Sequence, residues 1–410
     1  MTPRKPFDSY KWRWLSVAPT ESLLSPPVFL GVLRALAQFE NHAPSEAAVA
    51  NALQRVQRDT NTPVDLVRTP DRNLIRNSGQ YWKGTGLLAS AQGEIRLTAL
   101  GRRVASGQVT QGEFAALMVQ QTVLPNPATY GAAEIAKWRE AGLEIRPLKL
   151  ILEVVEELGR SGGGVSAFLT NEELIRVVVP LAGVRAPVST IAEHVSLYRA
   201  GRLDMTGWPD CAPMANDKRL AREFLLFLAN FGILRMGAGV SRDEQRFHLD
   251  EIFDVEAATV PVVDSIFTDD ASATRAVQEV RHSELPSIIE RQRTVTRVLA
   301  RTGQARFRST VMAAYSGRCF ITGEQISEVL EAAHIVPVTN GGADTEDNGL
   351  CLRVDIHRLF DSGNIRLKAS GALTMSEAVT SSGNYGNLPA ALQLPPFVNP
   401  ANIAWRDSYL

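Results

Sequence analysis

Apolar positions along the first 250 residues recur mostly at helical spacing. Val28, Val32, Leu36 and Phe39 lie on one face of a helix expected over 28–40, opened by Pro26 and Pro27. A second helix is expected over 45–56 with Ser45 as its N-cap, and a third over 72–82. The stretch Glu94-Ile95-Arg96-Leu97 alternates as a strand does, and Thr98 can cap the helix after it. Further on, Leu148, Ile151, Leu152, Val155 and Leu158 predict a helix over 147–159. Thr170-Asn171-Glu172-Glu173 has the form of a capping box before an apolar run at 174–179. Helices are expected over 189–200 and 220–231, the latter ended by Gly232. Ile233 to Met236 and Arg246 to Leu249, joined through Gly237-Ala238-Gly239, predict a hairpin.

The two halves of this region rhyme: a helix ends in glycine, then come an apolar pair, a turn and a strand. That order fits two winged-helix units in tandem, and equally an α+β domain in which the pattern recurs locally. The first 25 residues carry Trp12 and Trp14 without a regular period, and are expected to act as a docking arm.

Residues 250–270 hold seven acids and no Lys or Arg, with Pro261 among them, and mark a boundary. The sign then reverses. Between Ser272 and Arg318 stand nine arginines (Arg275, Arg281, Arg291, Arg293, Arg297, Arg301, Arg306, Arg308 and Arg318) against three acids. Such a run suits a polyphosphate backbone, for which the guanidinium fork is well shaped. It also fits a solvated helix face with internal pairs such as Glu290 with Arg293. Arg68, Arg72, Arg76, Arg102 and Arg103 are further candidates for nucleic-acid contact by charge alone.

Composition narrows the classes. At 410 residues the chain has room for about two or three domains. With 45% hydrophobic and 21% charged residues it is globular in composition. Lys+Arg is 43 against 44 Asp+Glu, so any nucleic-acid contact must come from a local patch. Three distant cysteines (Cys211, Cys319 and Cys351) make neither a disulfide framework nor a four-thiolate zinc site, and favour a cytoplasmic location. No apolar run is long enough to predict a membrane span.

The richest stretch is 315–363. His334 sits in an apolar, strand-like run, 329–338. His357 and Asp361 fall four residues apart on a short helix expected over 353–360, and so share a face. An imidazole and a carboxylate so placed can hold a divalent ion. The ordered set Ala332-Ala333-His334-Ile335-Val336-Pro337, then Asn348-Gly349-Leu350-Cys351-Leu352, then His357-Arg358-Leu359-Phe360-Asp361-Ser362-Gly363 resembles the HNH family of nucleases, built on a ββα-metal finger. The lead-in Arg301 to Arg308 is similar to the same branch.

The apolar pattern predicts a mostly helical N-terminal half with tandem winged-helix units, and to this α+β multidomain chain the resemblance adds a C-terminal ββα-metal nuclease domain. The boundaries expected are 1–135 and 136–255 for the two helical domains, 256–300 for linker and Arg-rich helix, and 301–410 for the nuclease. It implies His334 as general base, Asn348 fixing the loop that aims it, and His357 with Asp361 as ligands of Mg2+ or Mn2+. Arg291, Arg297, Arg301, Arg306, Arg308 and Arg358 would bind DNA.

Many relatives place a metal-ligating Asp or His just before the base; Ala333 stands there, and the reach of Glu331 is not guaranteed by strand geometry. Cys319 is followed at the zinc-binding spacing by Thr322, with no second Cys pair, so no structural zinc is expected. The activity implied is a restriction-type DNA endonuclease leaving 5′-phosphate and 3′-hydroxyl ends on double-stranded DNA. Since one such site cuts one strand, a homodimer or two separate nicks would be needed to sever a duplex. The alternatives are a gated antiviral effector and a DNA-binding protein with a degenerate site.

Overall fold

A computed structural model describes residues 2–14, 21–67, 74, 80–91, 93–237, 241–249, 266–337 and 342–409, without side chains at 21, 22, 294–303 and 409. The expected helix over 72–82 therefore lies largely outside the described residues, as do Arg68, Arg72, Arg76, the acidic stretch 250–265 and the turn residues Ala238 and Gly239. The chain is α+β and divides into two compact units, residues 1–236 with 246–294, and 237–245 with 295–410.

In the first unit one hydrophobic core runs from Tyr10 to Ile289. The N-terminal aromatics do not form an arm. Tyr10, Trp12 and Trp14 are buried, and Trp14 stacks on Phe224 with ring centroids 5.5 Å apart. Their polar edges are satisfied too: Trp12 Nε1 donates to the Tyr10 hydroxyl at 3.0 Å, which donates to Val179 O at 3.0 Å. An aromatic segment without periodicity is thus held by a helix about 200 residues away, which no local pattern reveals.

The helices follow their apolar stripes. Pro147–Gly162 opens with Pro147 and buries Leu148, Ile151, Leu152, Val155 and Leu158. Ala215–Asn230 buries Leu220, Phe224, Phe227 and Leu228 and ends before Gly232, whose φ of 76° suits a residue without a side chain. The capping box at Thr170 forms: its Oγ1 accepts from Glu173 N at 3.1 Å, and Glu173 Oε2 accepts from Thr170 N at 2.9 Å. The helix expected from Ser45 begins instead at Ala47, and Glu46 carries its cap position.

Three short antiparallel strands pair in the order β1 (Phe168–Thr170), β3 (Arg246–His248), β2 (Arg235–Met236). The hairpin of β2 and β3 matches the expectation; β1, only three residues long, carried no legible alternation. The strand expected around Glu94 to Leu97 reduces to one bridge, Leu88 to Leu97.

In the second unit β4 (Leu330–His334) pairs antiparallel with β5 (Gly349–Arg353), and the chain passes from β5 straight into the helix Val354–Asp361. A second hairpin, β6 (Ile365–Leu367) and β7 (Leu373–Met375), follows, and the last helix is Pro400–Tyr409. The core of this unit joins Phe307 and Val311, from the later part of the helix Leu285–Ala314, to Leu330, Ala333, Leu350, Leu352, Ile356 and Phe360. Phe307 and Val311 lie so close to β5 that a Cβ at Gly349 would collide with Val311 Cγ2, so only glycine lets helix and strand approach. No described helix is long and apolar enough to cross a membrane.

Candidate active site

The strand–strand–helix order of the second unit brings the singled-out residues into one neighbourhood. His334 is the last residue of β4 and pairs across the sheet with Gly349. Its side chain is 21% exposed, and its ring lies flat on Phe307, centroids 3.8 Å apart and planes 10° from parallel. Its Nε2 meets Asp344 Oδ1 at 2.8 Å.

Asn348, 1% exposed, holds the loop beyond β4. Its Oδ1 accepts from Val336 N at 2.9 Å, and its Nδ2 donates to Val336 O at 3.0 Å and Ala343 O at 2.9 Å. Both polar groups of a buried amide are thereby used, which is the condition for burying one without large cost. Asn348 O also accepts from Ile335 N at 2.9 Å.

His357 and Asp361 share a face of the 354–361 helix, with Nε2 and Oδ2 3.2 Å apart. On its other side His357 Nδ1 meets Glu331 Oε2 at 2.8 Å. Glu331 therefore does reach the site from β4, because β5 and the helix after it fold back along that strand. The Asp361 hydrogen bond, reinforced by Glu331, raises the His357 pKa above the ordinary imidazole value against the opposing effect of partial burial. Burial pushes the Asp361 carboxyl up, but His357 and Arg406 outweigh it and hold it below the usual carboxylate range.

Arg406, on the last helix, was not singled out by sequence. It is 6% exposed and lies over the Phe360 ring at 3.9 Å. One terminal nitrogen donates to His334 O at 3.2 Å and Ile335 O at 2.9 Å; the other donates to Phe360 O and Asp361 Oδ1, both at 2.9 Å. A single fork thus ties the end of β4 to the end of the 354–361 helix. Neither Glu331, Asp344 nor Arg406 stands in the motif. Glu331 is signalled in the sequence only by its nearness to His334, and Arg406 only as a cation among the apolar positions of the last helix.

Among the described residues no group of three or more His, Cys, Asp or Glu is arranged to hold a metal ion. His357 and Asp361, one nitrogen and one partly exposed carboxylate 3.2 Å apart, are the pair on this face that could hold a cation. A hard divalent ion that keeps water and substrate oxygens in its shell fits so short a donor set. Cys319 Sγ accepts from the amides of Thr322 at 3.4 Å and Arg353 at 3.2 Å.

The arginines divide. Arg281 pairs with Glu113 at 2.6 Å and Arg293 with Glu290 at 2.7 Å. Arg102 pairs with Glu40 at 2.7 Å and Arg103 with Asp270 at 3.4 Å, so both are engaged within the first unit. Arg291, Arg306, Arg308 and Arg358 are exposed and make no ion pair among the described residues. Arg297 and Arg301 lie on the helix at positions whose side chains are not described.

Residues 319–368 match the family model described as HNH endonuclease. The second unit carries an HNH endonuclease domain. His334, Asn348, His357 and Asp361 all lie within that segment, whereas Arg406 lies outside it. HNH nucleases are generally dependent on a divalent metal. The chain is similar to the binding domain of the BpuJ1 endonuclease, solved with pyrene- and phenanthrene-modified DNA, at 9% identity and a TM-score of 0.42, over 67% of this chain and 87% of that one. It is also similar to the modification-dependent TagI restriction endonuclease, at 20% identity and a TM-score of 0.21, over 43% of this chain and 51% of that one. No curated protein matches it.

Proposed function

We propose that this protein is a divalent-metal-dependent DNA endonuclease of restriction type. Its C-terminal unit hydrolyses phosphodiester bonds and its N-terminal residues select the DNA. The observation that supports the reading is the HNH segment itself, folded as two strands and a helix that carry His334, Asn348, His357 and Asp361.

His334 acts as general base: its imidazole takes a proton from water as the water oxygen bonds to phosphorus and the bond to the 3′ oxygen breaks. The phosphate stays on the 5′ side and the 3′ oxygen leaves as a hydroxyl. Asn348 keeps the loop after β4 in register, and the Phe307 ring holds the plane of the imidazole. Mg2+ or Mn2+ at His357 and Asp361 would supply charge stabilisation at the scissile phosphate. Arg306, Arg308 and Arg358 bind backbone phosphates in this reading, which their exposure and lack of an ion pair among the described residues support, with Arg291, Arg297 and Arg301 as further contacts.

The order β1-β3-β2, with helices between β1 and β2, supports a winged-helix reading of the domain expected over 136–255 as part of the DNA-selecting region. One such centre cuts one strand, so severing a duplex calls for a second copy of the chain or a second nick.

The test is incubation of the full chain with plasmid DNA and Mg2+ or Mn2+, followed by sequencing of the ends. Discrete fragments with 5′-phosphate and 3′-hydroxyl termini, absent after chelation, are expected. Intact plasmid with either ion rules the reading out.

A further inference from the structure

We infer that Asp344 is a positioning residue for the general base: it selects the tautomer and rotation of the His334 ring. The inference rests on the nuclease reading above.

The contact is His334 Nε2 to Asp344 Oδ1, 2.8 Å. A carboxylate only accepts, so Nε2 carries the hydrogen, and in the neutral ring Nδ1 is left with the lone pair. That is the form a base needs. The stack on Phe307 fixes the plane of the ring but not which edge faces which way. A half-turn about the Cβ–Cγ bond would keep the ring in that plane while exchanging Nδ1 with Cδ2 and Nε2 with Cε1, and the carboxylate removes that freedom.

The loop is built to bring Asp344 there. Asn348 Nδ2 holds Ala343 O at 2.9 Å, one residue before Asp344. Gly342 N donates to Pro337 O at 3.0 Å, and a Cβ at Gly342 would collide with Val336 O, so the chain crosses its own strand end at a point only glycine permits. Asn348 Nδ2 would stand 2.8 Å from the same Cβ. The buried Asn348 thus orients the base twice: directly through Val336, and indirectly by setting the residue before Asp344.

In the reaction the water proton passes to Nδ1 of His334. The imidazolium so formed is held against the Asp344 carboxylate; the 3′ oxygen takes a proton from solvent water, and the imidazolium returns its proton to the hydroxide left behind, which restores the neutral base. Asp344 acts here only through the His334 ring, and its side chain is 42% exposed, so its removal leaves the core intact.

The experiment uses the full chain as wild type, D344A, D344N and D344E, with supercoiled plasmid and Mg2+. Single-turnover cleavage and DNA affinity are measured together. Cleavage by D344A and D344N should fall about 10²-fold or more with DNA affinity and melting temperature unchanged, and D344E should recover part of the rate. Nitrogen NMR of labelled histidine, with the His334 signal assigned by its disappearance in H334A, should show Nε2 protonated in wild type and a mixed or reversed tautomer in D344A. A purely structural contact would leave that signature unmoved.

If wild type cuts and D344A and D344N cut equally well, or if Nδ1 carries the proton in wild type, the inference is wrong while the nuclease reading stands. If wild type cuts no DNA, both fall.

Discussion

Asn348 shows how much one buried amide can carry. Replacing it with alanine strands Val336 N–H and two carbonyls at once, each costly when left without a partner. Asn348→Ala should therefore cost about 3 kcal/mol, seen as a lowered melting temperature, and should also depress cleavage because the His334 loop loosens. Arg406→Met should destabilise by about 2–3 kcal/mol, below the range for a fully buried pair because the Asp361 side chain is 55% exposed. The His357–Asp361 pair has a pH signature. His357 has a raised pKa, so its contribution is fully present below the unfolded value and fades as pH rises through the folded one. Asp361 has a lowered pKa, so its contribution is present above its unfolded value and fades as pH falls through the folded one. In metal-free protein the melting-temperature gap between wild type and His357→Gln should be widest between those limits and narrow on both sides.

At the scale of elements the close approach of helix and strand is the sensitive point. Gly349→Ala would drive a methyl group into Val311 and push β5 off the helix, at about 1–3 kcal/mol. Because β5 pairs residue by residue with β4, the shift would reach His334, and cleavage should fall more than stability alone explains. These elements were legible to different degrees. The His334, Asn348 and His357 set was readable because chemistry fixes residue types at fixed spacings. Glu331, Asp344 and Arg406 were not, because their roles arise from which segments meet: β4 beside the helix after β5, a loop returning on its own strand, and a helix 72 residues further on. Helices with a clean apolar stripe, such as 147–162, were readable almost to the residue. The three-residue β1 and the buried Trp12 and Trp14 were not, since no local period marks them.

For the whole molecule the balance of charge is near zero, so the proposed attraction to DNA must rest on where the charges stand. Replacing Arg306, Arg308 or Arg358 singly with glutamine should weaken DNA binding across sequences alike. Each replacement should also lower the slope of log K against log salt by about 1 for every phosphate no longer neutralised. Substituting Arg102 and Arg103, tied to Glu40 and Asp270, should change that slope little. The most direct measurement of the central claim is plasmid cleavage by the full chain in Mg2+, set beside the His334→Ala variant with DNA affinity measured on the same preparations. Abolished cleavage with unchanged affinity is the predicted result. Equal cleavage by the variant would contradict it and remove His334 from the chemistry.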